Sequence, residues 1–137
     1  MAIIDANISI TNDTASSTIT VTQPMTLYKA GGTEGMDTMT SVSKVLTSTD
    51  QVDLVLASSV STTHNYVYIN NPSADTSEYF HVGIGNAGGG SPTDTEEFGR
   101  LYGGDWMFIP WTADTNEDII VTPSVATKMI IEYMVFS

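Results

Sequence analysis

A chain of 137 residues suffices for one domain, burying roughly two thirds of the surface its unfolded form exposes, and the absence of cysteine excludes a disulfide framework, a thiolate metal centre and a cysteine nucleophile. Sixteen Asp and Glu against four Lys and Arg give a formal charge of −12. The cations Lys29, Lys44, Arg100 and Lys128 are scattered, which excludes the clustered positive charge that nucleic acid and anionic membrane surfaces require.

Ser and Thr are abundant and strong helix formers scarce, so an all-β protein is expected. The opening Met-Ala-Ile-Ile-Asp-Ala-Asn has neither the cationic start nor the apolar run of a signal peptide. No stretch approaches the ~20 apolar residues of a membrane span, and synthesis in a cytoplasm is expected. Ile4, Ala6, Ile8 and Ile10 alternate with Asp5, Asn7, Ser9 and Thr11, and after a polar turn the alternation resumes over 18–22. Period two predicts two half-buried strands. A short apolar run at 25–28 leads into Lys29-Ala-Gly-Gly-Thr-Glu-Gly35, which reads as a flexible loop. The chain is divided accordingly into N-terminal strands or an arm over 1–30 and a β-sandwich domain over 31–137.

The spacing of Met36, Met39, Val42, Val45 and Leu46 fits a helix or a strand, and the Thr and Ser filling favours the strand. Residues 51–57 alternate again. Residues 65–71 are the clearest strand, stopped by Pro72, with 78–84 as the expected hairpin partner. Residues 85–97 are rich in Gly, Ser, Thr and acids and predict a surface loop. In 98–111 two apolar runs flank Gly103-Gly104-Asp105. They read as paired strands, or as a strand and its return, with Pro110 at a strand end or sheet edge where the chain turns out. Residues 118–122 form a strand ended by Pro123, and 127–136, apolar on both faces, belong inside a sheet. Many short strands closely punctuated by turns predict a β-sandwich or jelly roll.

Motifs that could carry chemistry are weak. Gly83-Ile-Gly85-Asn-Ala-Gly88 has the dinucleotide spacing, but Gly89-Gly90-Ser91-Pro92 continues a loop where a phosphate cradle needs a helix. The acid groups Asp94/Glu96/Glu97 and Asp114/Glu117/Asp118 could offer oxygens to calcium but lack EF-hand spacing. His64 and His81 are the only imidazoles, and neither lies in a nucleophile elbow or zinc-binding motif. No catalytic residue, metal ligand or cofactor is therefore assigned. Trp106, Trp111, Tyr66, Tyr68, Tyr79 and Tyr102 could form a sugar-stacking face, a subunit contact or core.

Tyr66-Val-Tyr-Ile-Asn-Asn-Pro72, Phe80-His-Val-Gly-Ile-Gly85, Phe98-Gly-Arg-Leu-Tyr-Gly-Gly-Asp-Trp-Met-Phe-Ile-Pro-Trp111 and Lys128-Met-Ile-Ile-Glu-Tyr-Met134 together resemble small β-sandwich structural proteins of tailed phages. The likeness is to decoration, or cement, proteins of marine and cyanobacterial phage heads, and it covers residues 64–136. It implies a protein without chemistry on the outer capsid surface, bound to the major capsid protein and to its own copies in a homo-oligomer such as a trimer. In such proteins the N-terminal segment extends onto a neighbour, and residues 2–11 have the alternation suited to adding a strand to an open sheet edge. Ile4, Ile8, Ile10, Tyr102, Trp106 and Trp111 are the interface residues expected on this reading. The alternatives are a tail, fibre or head-completion part, or a carbohydrate- or receptor-binding module.

Overall fold

A computed structural model describes residues 3–14, 17–60, 64–85, 96–115 and 117–137. Two compact units divide the chain, Met1–Asp37 and Thr38–Ser137.

The first unit is built on a hairpin of β1 (Asp5–Thr14) and β2 (Ser17–Thr26), antiparallel with Ile10 opposite Val21, Ile8 opposite Gln23 and Ala6 opposite Met25. Cross-strand partners share a face, so the Ile/Ala side of β1 meets Val21, Gln23 and Met25, while Asp5, Asn7, Ser9 and Thr11 take the opposite side. Past the hairpin the Leu27 N–H donates to the Ile4 carbonyl at 3.0 Å and the Met36 N–H to the Leu27 carbonyl at 2.8 Å; both Leu27 and Met36 are fully buried. Residues 29–35 form a bridged turn outside the named strands. Tyr28 bridges Gly35, the Lys29 N–H donates to the Glu34 carbonyl at 2.8 Å, Gly31 takes φ +69°, and the Lys29 ammonium lies 2.9 Å from Glu34 and 3.6 Å from Asp37. The backbone bonds close the turn; exposed ion pairs add little.

The second unit is a sandwich of two four-stranded antiparallel sheets, and the chain is all-β as its composition requires. One sheet has the order β3 (Met39–Leu46), β10 (Met129–Phe136), β5 (His64–Asn70), β8 (Trp106–Thr112). The other runs β4 (Val52–Val55), β9 (Asp118–Pro123), β6 (Tyr79–Gly85), β7 (Glu96–Tyr102). Successive strands change sheet at every step except β6 to β7, and this alternation with this order is jelly-roll topology. A 3₁₀ turn at Ala57–Ser59 is the one helical element among the described residues; the Asp118 carboxylate caps it, accepting from the Ala57 N–H at 2.6 Å. Between the sheets lie Val67, Ile69, Trp111 and Ile131 from one side and Phe80, Val82, Ile119 and Val121 from the other. β10 is flanked by β3 and β5, inside its sheet as expected.

Two pairings expected from the sequence are corrected. β5 and β6 are not a hairpin, because the first belongs to one sheet and the second to the other; the same holds for β7 and β8. The Gly103-Gly104 turn therefore carries the chain across the sandwich. Gly104 has φ +87°, and a Cβ at Gly103 would collide with the Asp75 carbonyl oxygen, so both glycines are required. Pro110 does sit in an edge strand, but the strand continues through it to Thr112. An edge tolerates a residue without an N–H.

Candidate docking surfaces

Alternation along the strands decides what the first sheet shows to solvent. Val67 and Ile69 of β5, and Met107, Ile109 and Trp111 of β8, join the core, so Tyr66, Tyr68, Trp106, Phe108 and Pro110 face outward. Register lines them up across strands: Phe136, Tyr66 and Pro110 form one row, and Met134, Tyr68 and Phe108 the next. Tyr66 and Phe108 stack with centroids 5.4 Å apart and planes at 8°, Phe136 meets Phe108 edge-on at 6.1 Å, and Trp106 lies 6.0 Å from Tyr68. Met39 is 57% exposed, Val45 50% and Trp106 49%. Among the described residues of these four strands, Glu132 is the only formally charged side chain on this face, and it accepts a hydrogen bond from the Asn70 amide at 3.0 Å. An apolar face with one carboxylate, in a chain of charge −12, is the candidate docking surface of this sheet.

The hairpin has a second apolar face. Ile4, Ala6 and Ile8 are half-buried, but Ile10 is 62% exposed and its cross-strand partner Val21 43%.

The outer face of the second sheet is polar and aromatic. Tyr79 lies 5.1 Å from Tyr102 and 5.2 Å from His81, the Arg100 guanidinium sits 4.8 Å over the Tyr79 ring, and His81 Nδ1 is 2.6 Å from Glu97 Oε1. A side-chain hydrogen bond with Tyr102 holds the Arg100 proton more firmly than usual. A bulge between Val82 and Gly83 shapes this edge, and a Cβ at Gly83 would strike the Glu96 carbonyl oxygen.

The six residues expected at an interface are thus not one patch. Ile4, Ile8 and Ile10 lie on the hairpin, Trp106 on the first sheet's outer face and Tyr102 on the second sheet's outer face. Trp111 is corrected to the core: it is 2% exposed, and its indole N–H donates to the Glu117 carbonyl at 2.8 Å. Sequence reasoning grouped Tyr66 and Tyr68 with Trp106, but also with Trp111, Tyr79 and Tyr102, which lie elsewhere, and missed Phe108, Met134 and Phe136 on the same surface. Their odd–even parity within each strand was visible, but their assembly depends on which strands are neighbours. The dinucleotide-like motif beyond Gly85 and the loop at 86–95, with Asp94, fall outside the described residues. Of the other acid group, Asp118 caps the 3₁₀ turn and Asp114 accepts from the Thr115 N–H at 2.7 Å. Among the described residues no three His, Asp or Glu side chains are grouped to hold a metal ion. No protein family, characterised protein or solved structure matches the chain.

Proposed function

We propose that this protein is a non-enzymatic structural component of a tailed-phage virion, a decoration subunit that binds the outer surface of the assembled head through the major capsid protein and its own copies. The observation that carries the reading is the charge-poor aromatic face of the β3–β10–β5–β8 sheet on an otherwise strongly acidic chain. Such a face is suited to burial against protein, while the remaining −12 charge favours solubility before docking and repels packaged DNA. Bound across capsomer joints, such a subunit stabilises the shell by mass action, since it binds the closed lattice and not its separated parts.

The test is to mix the purified protein with isolated empty heads of tailed phages from marine hosts, pellet the shells and count bound copies by quantitative gel. Saturation at a lattice-sized number per shell, with raised resistance of the shell to heat, is the expected result. Binding of only a few copies per particle would identify a completion or tail component instead. No binding to any shell would overturn the reading.

A further inference from the structure

We propose that the cavity at the open side of the sandwich, between the edge strands β3 and β4, binds a straight-chain aliphatic monocarboxylate, its carboxylate on the Lys44 ammonium and its tail on the apolar wall. The inference concerns a small ligand and does not rest on the virion reading. β3 and β4 each end their sheet, so on this side neither has a further strand beside it among the described residues. The gap between them is a cavity of about 320 Å³, at the lower end of the size range of small-molecule sites. Leu54, Leu56, Val60 and Val135 give it an apolar wall, and Lys44 and Tyr133 supply polar groups.

Lys44 faces the inside of the sandwich. It stands opposite Ile131, which is fully buried in the core, and cross-strand partners share a face. Its ammonium crosses to the second sheet and donates to the Asp53 carbonyl at 3.1 Å. That partner is a neutral oxygen. The Asp53 carboxylate lies on the outer side, because Asp53 pairs with Ile120, and the core residues Ile119 and Val121 on either side of Ile120 point the other way. The salt bridges among the described residues lie at Lys29 and His81, so Lys44 keeps its charge and two of its three donors for an acid. A charge-assisted hydrogen bond to a carboxylate is roughly twice as strong as a neutral one. Tyr133 lies on the same inner face, between Ile131 and Val135 along β10. Burial pushes its phenol pKa up, so it stays a donor beside the ammonium. An inward lysine on an edge strand also discourages strand addition by other chains, but that task needs no apolar cavity next to the charge. A single ammonium at the rim of an apolar wall matches a monoanion with an aliphatic tail and repels an amine with the same tail.

The experiment is a titration of the isotope-labelled full chain, followed through its backbone amide shifts by NMR. Sodium octanoate, kept below its micelle concentration, is expected to give saturable shifts at Lys44, Leu54, Val60 and Val135. Octylammonium, with the same tail and the opposite charge, is expected to bind there about tenfold more weakly or less. Lys44→Met keeps an apolar stem without the charge and is expected to weaken octanoate by about tenfold or more. The absence of saturable shifts overturns the proposal, as do shifts confined to the outer face around Trp106. Equal binding of octanoate and octylammonium overturns it too, since the tail alone would then be recognised. So does octanoate binding that Lys44→Met leaves unchanged. The comparison of the two ligands uses the wild type alone and decides the matter if Lys44→Met fails to fold. Shell binding is not measured, so failure here leaves the virion reading to its own test.

Discussion

Asn71 ties the two chain crossings together at the level of single atoms. Fully buried at the end of β5, it donates its side-chain amide to the Leu101 carbonyl at 3.0 Å and accepts from the Ser73 N–H at 3.2 Å. Its backbone N–H donates to the Asp105 carbonyl at 3.0 Å, and its carbonyl accepts from the Gly104 N–H at 2.8 Å. The corner leaving β5 and the corner leaving β7 are therefore held by one residue. Asn71→Ala removes both side-chain bonds at a fully buried corner, which is expected to cost about 1–3 kcal/mol of unfolding free energy, read as a lower urea midpoint. Asn70→Ala, whose amide bonds the exposed Glu132, serves as the control, with an expected change within about 0.5 kcal/mol. Equal midpoints for the two variants would show that the corner does not depend on the amide.

Strand β8 shows how one element can serve core and surface together. Trp106 and Trp111 differ by an odd number of positions, so they point to opposite faces; one is 49% exposed and the other 2%. Acrylamide should quench the Trp106 emission strongly and the Trp111 emission hardly at all. Trp106→Phe should leave a single blue-shifted, quench-resistant band, and a residual band that quenches readily would place Trp111 at the surface. This parity was legible in the sequence, as were the strands themselves, because period-two alternation reports directly on facing. Which face is inside was not, and neither was the partner of each strand. Residues 65–71 and 78–84 read as a hairpin because they are adjacent, alternating and separated by turn residues, yet a short polar segment can turn a chain back within a sheet or carry it across a sandwich. The difference lies in the Asn71, Asp75 and Gly103 contacts, which join segments about thirty residues apart. The aromatic face stayed hidden for the same reason, since its rows draw on β3, β5, β8 and β10.

At the scale of the whole molecule, apolar patches and net charge oppose each other, and ionic strength decides the balance. With −12 on each copy, bringing two copies together costs long-range repulsion that acts over about 30 Å at 10 mM salt and about 3 Å at 1 M. A contact between copies made on the outer face of the β3–β10–β5–β8 sheet would contain almost no charge to be screened in its favour, and burial of its apolar area does not depend on ion pairing. Salt should therefore remove only the opposing term. Association measured by sedimentation is expected to strengthen steadily from 10 mM to 1 M NaCl. A contact built on complementary charges would behave in the opposite sense, tight at low salt and weakened as the screening length shrinks. The sign of the dependence thus separates the two architectures without any substitution. Association that weakens with added salt would shift the contact to the second sheet, where Arg100, His81 and Glu97 supply the charged groups that such an interface needs.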